Sequence, residues 1–377
     1  MEPLASPRPT SPTPAGFSPL GHAPALDGLR GIAVLVVLGH NLGISWLQGG
    51  FLGVDMFFAL SGFLITTLLL EERLRTGTIS LSRFFQRRFL RLYPALVVLI
   101  AAAALSSLTR SEVGAARVSL VVVSNLLYFS NWMLAADSEA WVGGTAHTWS
   151  LAVEMHFYVL WAVLLAFVTR RHGVVLRPLF RLAVGIALAS ALWRIVVWTG
   201  EDNLARIYGG TDTRLDAVFL GAATALVRLG IVASTPGPAP VPWSRPLVRI
   251  AELISAIGLA LLIRFTPDKA PLAFLGGFGV AGAATALLIL TTLLSPHSLL
   301  AGPLRSRGLV WFGQISYSLY LWHVPMKKIF SSQRFARLGL PEEVELAGSV
   351  VASIAAAALS YYLIERAFLR LRQKARG

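Results

Sequence analysis

The sequence predicts an all-α polytopic membrane bundle with about ten transmembrane crossings and one further apolar segment, re-entrant or interfacial. Three observations lead there. The mean hydropathy is +0.66, and 55% of residues are hydrophobic against 14% charged, too apolar a balance for a water-soluble domain. Eleven apolar runs follow one another, near 30–47, 50–70, 93–108, 113–133, 148–169, 178–198, 214–232, 247–265, 272–294, 309–326 and 343–364, many close to the roughly 20 residues that a spanning helix needs. Between them arginines gather in separate clusters, the pattern of loops held on one side of a membrane.

The chain divides into a tail, 1–24, a membrane domain, 25–366, and a short basic tail, 367–377. The first segment is rich in Pro, Ser and Ala and has no apolar core, which predicts a disordered cytoplasmic tail and not a signal peptide. Charge then sorts the runs. Arg73, Arg75, Arg83, Arg87, Arg88 and Arg91 mark 71–92 as cytoplasmic, and Arg170, Arg171, Arg177 and Arg181 do the same for 170–181. Three apolar runs lie between these segments, yet an even number of crossings is needed to return to one side. The run 113–133, interrupted by Arg117, Ser124, Asn125, Asn131 and Trp132, is the one expected not to cross. Such a segment is tolerated at membrane depth where its backbone is buried in protein. The loop 134–146, with Asp137 and Glu139, and the acidic loop 199–213 are expected outside, and the Pro-rich linker 233–246, Arg305 and Arg307 inside. Both termini are then cytoplasmic, and the basic loop 327–341 is the one that falls on the unexpected side.

Composition also excludes chemistry. With no cysteine in the chain, disulfides, thiolate metal sites and cysteine nucleophiles are ruled out. The net charge of +14 is read as positive-inside asymmetry and not as nucleic-acid binding. The histidines are scattered without HxxxH or HExxH spacing, so no metal is expected, and the absence of a GxSxG elbow removes support for serine-hydrolase chemistry.

Anchoring does not explain the ionisable groups inside the runs, each costing at least about 2.5–3.5 kcal/mol at the centre of a span. The stretch 26–66 carries Asp27, Arg30, His40, Asn41 and Asp55. In SLSRFFQRRFLRLYP (80–94), Ser80 or Ser82 suits a helix N-cap, and Arg87, Arg88 and Arg91 fall on one side of the helix beside an apolar face. This is either an interfacial basic helix or a phosphate clamp. In HTWSLAVEMHFYVLW (147–161), His147, Ser150, Glu154, Tyr158 and Trp161 share a helix face, a polar stripe that should look into the protein. In ISYSLYLWHVP (315–325) and just beyond, Ser316, Tyr320, His323 and Lys327 share another, with Pro325 expected to disturb the helix. Arg214 and Asp216 add a further buried pair, and Gly53, Gly62 and Gly221 are expected to permit close helix packing.

Six blocks in order, LDGLRGIAVLVVLGH (26–40), GFLGVDMFFALSGFLIT (50–66), RRFLRLYP (87–94), HTWSLAVE (147–154), RLDAVFLG (214–221) and ISYSLYLWHVP (315–325), resemble the acyltransferase 3 family of integral-membrane enzymes. The resemblance implies transfer of an acyl group, mostly from acyl-coenzyme A, to a hydroxyl of a sugar, a glycan or an antibiotic such as a macrolide. It makes His40 the catalytic histidine, as a base toward the acceptor hydroxyl or a transient acyl carrier. It makes Arg30, Arg87, Arg88 and Arg91 the residues for the co-substrate, acetyl-coenzyme A or another short acyl-coenzyme A. Glu154 is expected to orient His40, with Asp55 beside them, and His147, Ser150, Tyr158, Tyr320 and His323 to meet the acceptor. Ten residues of helix put His40 about 15 Å deeper than Arg30, near the bilayer middle.

Here nine residues separate Arg30 from His40 where the family usually has ten, so that Asn41 and not His40 shares the face of Arg30. Either the helix is distorted, or it begins after Gly31, or the relation is looser than the pattern implies. The blocks leave no room for the soluble hydrolase-like domain that some members append. The expected partners are the donor, the acceptor and membrane lipids, in the cell membrane. Two rivals remain: a secondary transporter, expected to show internal repeats that this sequence lacks, and a non-catalytic membrane protein, which has no need of buried His and Glu.

Overall fold

The computed structural model describes residues 19–109, 114–136, 144–234, 245–295, 297–330, 337–339 and 341–374, and among them every regular element is helical. The tail to residue 18, Asp137, Glu139 and most of the Pro-rich linker lie outside the described residues. The first helices are α1 (Pro24–Asn41), α2 (Gly53–Thr76), α3 (Leu81–Thr109), α4 (Ala115–Leu126) and α5 (Ser130–Ala136). The middle of the chain forms α6 (Trp149–His172), α7 (Leu176–Val197), α8 (Leu204–Gly209), α9 (Leu215–Ser234) and α10 (Arg245–Phe265). There follow α11 (Phe278–Leu294), α12 (Ala301–Leu304), α13 (Arg307–Gln314), α14 (Ser316–Ile329), α15 (Glu342–Ser360) and α16 (Arg366–Lys374).

Among the described residues eight helices are long and apolar enough to cross a membrane: α2, α3, α6, α7, α9, α10, α11 and α15. The expected ten crossings need two more, for which α1 and α14 are the longest remaining helices. α1 carries polar residues toward both ends, and α14 follows the short helix α13, which runs back along the start of α1, across a break at Ile315. α1 and α14 run parallel: a Cβ on Gly313, just before α14, would lie 1.9 Å from the Asp27 carbonyl near the start of α1, and the Lys327 ammonium donates to the Asn41 carbonyl at its end. α2 is the centre of the bundle, with 83% of its apolar window buried, whereas α7 and α10 have 22% buried. These two point Leu188, Leu192, Val196, Ile250, Ile254 and Leu261 outward, an apolar surface suited to lipid.

The arginines collect at one end of the bundle. Arg73, near the end of α2, donates to the Thr169 carbonyl at the end of α6 (2.9 Å), and Arg228, late in α9, pairs with Glu71 (3.4 Å). This is called the arginine end, and its opposite the far end. The basic segment 80–92 and the run 93–108 prove to be one helix, α3, which continues through Pro94. They are not an interfacial helix followed by a span, so the arginines form the first turns of a crossing helix.

α3 ends and α6 begins at the far end, and α4 with α5 make a re-entrant hairpin between them. Its tip reaches mid-depth: Tyr128 lies 6.4 Å (ring centroids) from Tyr93 of α3, and Phe129 lies 5.8 Å from His156 of α6. Asn131 then fastens the return leg to the Gly209 carbonyl (3.0 Å) and Thr211 (2.9 Å). Tyr128 takes a left-handed backbone (φ 57°) at the tip, unusual for a bulky residue.

Two glycines set the central crossing. A Cβ on Gly62 would lie 1.8 Å from the Val218 carbonyl oxygen, and one on Gly221 1.9 Å from that of Ala59, so α2 and α9 meet backbone to backbone. Gly62→Ala is expected to destabilise the fold by about 1–3 kcal/mol through overpacking. Thermal unfolding in detergent checks this, and an unchanged midpoint would refute it.

Among the described residues three ion pairs are buried between helices: Arg214 with Asp55 (3.0 Å), Arg194 with Asp216 (2.7 Å) and Arg228 with Glu71. Arg214 and Asp216 therefore do not pair with each other. Two residues apart at a helix start, they face different neighbours, Arg214 turning to α2 and Asp216 to α7.

Candidate functional site

Five helices converge on a cavity of about 140 Å³ inside the bundle. Its polar lining is Arg30 from α1, Ser61 from α2, Arg88 and Arg91 from α3, Ser150, Glu154 and Tyr158 from α6, and Ser316, Tyr317 and Tyr320 from α14. Helical spacing explains the grouping. Ser150, Glu154 and Tyr158 stand at i, i+4 and i+8 on one face of α6, and Arg88 and Arg91 at i and i+3 of α3. Tyr317 ties α14 to α3 by donating to the Leu92 carbonyl (2.6 Å).

Glu154 accepts hydrogen bonds from both the Ser61 hydroxyl and the Tyr158 hydroxyl, and these two oxygens are 2.7 Å apart. The Arg88 guanidinium lies over the Tyr158 ring, 5.6 Å from its centroid. A carboxylate, the hydroxyls of Ser61 and Tyr158 and three guanidinium groups thus share one space.

A second cavity, of about 340 Å³, opens toward the arginine end and is lined by Glu71, Glu72, Arg75, Arg83, Arg87, Arg88 and Arg91. Leu68, Arg88 and Arg91 belong to both cavities, so the lining is continuous from one to the other. Glu72 pairs with Arg87 (3.1 Å) and lies 3.8 Å from Arg83, while Glu71 is taken by Arg228 and the Leu20 amide. Five arginines therefore face two carboxylates, a local excess of positive charge that favours a polyanion.

The far end holds the histidines. Ser150 Oγ and Tyr320 Oη, 2.8 Å apart, close the inner cavity, and Tyr320 also donates to the His147 carbonyl (2.8 Å). Beyond them stand His147 and His323, with ring centroids 5.2 Å apart. His323 donates through Nδ1 to the Tyr320 carbonyl (2.8 Å). Its buried Nε2 has no hydrogen-bond partner among the described residues. His40 lies in the last turn of α1, with Nδ1 on the Leu47 carbonyl (3.3 Å) and Nε2 3.4 Å from Asp268. Asp268, in the loop before α11, is 68% exposed and was not singled out from the sequence.

These positions revise three expectations. α1 begins at Pro24 and runs unbroken to Asn41, so it is Arg30 that sits within the bundle, and His40 stands at the far end and not at mid-membrane. Glu154 binds Ser61 and Tyr158 and makes no ion pair with His40, so the expected orienting contact is not formed. Asp55 is fully buried against Arg214, whose guanidinium is further boxed by Phe278 (3.6 Å to the ring centroid) and Trp149 (5.3 Å). Asp55 lines neither cavity. Of the expected cofactor residues, Arg88 and Arg91 line both cavities, Arg87 the outer one and Arg30 the inner one. Among the described residues no three His, Cys, Asp or Glu side chains converge as metal ligands.

A family model described as an acyltransferase domain, that of the acyltransferase 3 family, matches residues 24–365. The peptidoglycan O-acetyltransferase OatA of Listeria monocytogenes is 33% identical over 316 residues, covering 81% of this chain and 49% of the relative. The O-acetyltransferase OatA of Staphylococcus aureus is 32% identical over 352 residues, covering 91% of this chain and 57% of the relative. The chain thus spans about half the length of these curated relatives. No solved structure matches it.

Proposed function

The chain belongs to the acyltransferase 3 family, and on that footing we propose that it is a membrane O-acyltransferase moving an acyl group from acyl-coenzyme A to a hydroxyl of a sugar or glycan. The observation that carries this reading is the continuous lining from the arginine cavity, through Arg88 and Arg91, to the group of Ser61, Glu154 and Tyr158. Acyl-coenzyme A has the matching polarity, phosphates at one end and a reactive carbonyl at the other. Arg75, Arg83 and Arg87, which line the outer cavity alone, meet the phosphates, for which the guanidinium fork is suited. The thioester enters the inner cavity, where Arg30, Arg88 and Arg91 stabilise charge developing on its oxygen. The excess of arginine supports a cytoplasmic position for this end, the compartment that supplies acyl-coenzyme A.

The acceptor hydroxyl arrives from the far end, outside the cell, among His40, His147, His323, Ser150 and Tyr320. His40 is the base of this half, because its Nε2 is turned toward an exposed loop and Asn41 has no basic nitrogen. The relatives' names, O-acetyltransferase and peptidoglycan O-acetyltransferase, support an acetyl group and a cell-wall glycan over a longer acyl chain or a macrolide.

The test uses the protein in lipid nanodiscs with acetyl-labelled acetyl-coenzyme A and an extract of cell-wall precursors. Thioester loss is expected, with label in a glycan. In Arg75→Ala and Arg87→Ala each the donor KM should rise about tenfold, the loss of one charge-assisted hydrogen bond. No consumption of any acyl-coenzyme A by folded protein offered the extract would overturn the donor assignment.

A further inference from the structure

The two ends of the site are separated. His40 ends α1, while Ser61 lies eight residues into α2, about 12 Å along its axis from the far end. The hydrogen-bonded pair of Ser150 and Tyr320 stands between the inner cavity and the histidines. A donor held at the arginine end and an acceptor held at the far end are therefore not brought together by the resting arrangement, and the acyl group needs a carrier that holds it in the inner cavity until the acceptor is admitted.

Resting on the reading above, we infer that Ser61 is that carrier: its hydroxyl takes the acyl group from the thioester, forming an acyl-serine ester beside Glu154. Three features of the geometry support this. The Ser61 hydroxyl donates to the Glu154 carboxylate, the nucleophile–base contact that such chemistry requires. Ser61 lines the inner cavity with Arg30, Arg88 and Arg91, groups placed to stabilise an oxyanion on the same carbonyl. The backbone beneath it is rigid, because the next residue, Gly62, is locked against the Val218 carbonyl.

The step balances. Ser61 Oγ bonds to the carbonyl carbon as its proton passes to Glu154; the carbon–sulfur bond breaks, and coenzyme A leaves as the thiolate, to be protonated in water at the arginine end. In the second half the acceptor passes from the far end between Ser150 and Tyr320 into the inner cavity, its oxygen bonds to the same carbon, and its proton leaves by the same route to His40. The Ser61 ester bond breaks, and Glu154 returns the proton to Ser61.

The experiment incubates the full-length protein in nanodiscs with acetyl-labelled acetyl-coenzyme A and no acceptor, then digests it and maps the label by mass spectrometry. Label on the peptide containing Ser61 is expected. Ser61→Ala should bind coenzyme A as the parent does and lose transfer by about 10³-fold or more, as for a removed nucleophile. Ser61→Cys should carry the label as a thioester cleaved by neutral hydroxylamine. Label on His40 or elsewhere, no label in protein that turns the donor over with acceptor present, or Ser61→Ala within tenfold of the parent, each overturns the inference. If the parent consumes no acyl-coenzyme A even with acceptor, the donor reading itself fails and this inference falls with it.

Discussion

Glu154→Gln is expected to lower acyl transfer by about 10²–10⁴-fold, the range for removal of a positioned general base, while leaving donor binding near the parent value. Glutamine keeps the size of the side chain and an oxygen able to accept from Ser61 and Tyr158, but it cannot take a proton. The loss should fall on the cleavage of the donor. In a single-turnover experiment without acceptor, release of coenzyme A should slow as much as the complete reaction does. Tyr158→Phe makes the contrast, because it removes one hydrogen bond to the same carboxylate and spares the base, and it should cost only about tenfold. A Glu154→Gln protein that cleaved donor within tenfold of the parent would refute the role given to this carboxylate, and with it the placement of the reacting carbonyl in the inner cavity.

The helices were readable from the sequence because apolar runs of membrane length leave few alternatives. Even the re-entrant hairpin followed from counting crossings between two arginine clusters. The stripe on α6 was legible for the same reason of periodicity: Ser150, Glu154 and Tyr158 face one cavity, and Trp161, on the same face further along, donates to Thr66 (2.8 Å). What periodicity does not supply is the lateral neighbour. Asp55 and Arg214 are 159 residues apart in the chain, and nothing local distinguishes an aspartate in a closed ion pair from one in a cavity. The expected contact of His40 with Glu154 failed likewise, since counting residues along α1 from Arg30 took Arg30 as the membrane edge, whereas α1 starts six residues earlier. Ser61 was passed over because a serine beside a glycine in an apolar helix reads as a packing residue, and only the approach of α6 makes it a partner of Glu154. Asp268 gave no signal at all, being an ordinary acid in a loop.

His40→Ala should also reduce complete transfer by about 10²–10⁴-fold, but at the other half of the reaction, and this asymmetry is the sharper test of how the site is divided. His40 contacts the Leu47 carbonyl, Asp268 and the Phe51 ring (5.4 Å between centroids), and it lines neither the inner nor the arginine cavity. Its removal leaves Arg88, Arg91, Ser61 and Glu154 where they are. The variant should therefore bind acyl-coenzyme A and release one equivalent of coenzyme A at the parent rate, yet fail to pass the acyl group to the acceptor. His40→Gln should behave in the same way, since it restores a hydrogen-bonding side chain without a base. Quenched-flow measurement of coenzyme A release, with acylated protein and acylated glycan counted in parallel, separates the two halves. If His40→Ala instead stopped the first release of coenzyme A as completely as Glu154→Gln does, the histidine would act directly on the donor thioester. α1 would then have to bring it down into the inner cavity during turnover, and the division of the site into two ends would be wrong.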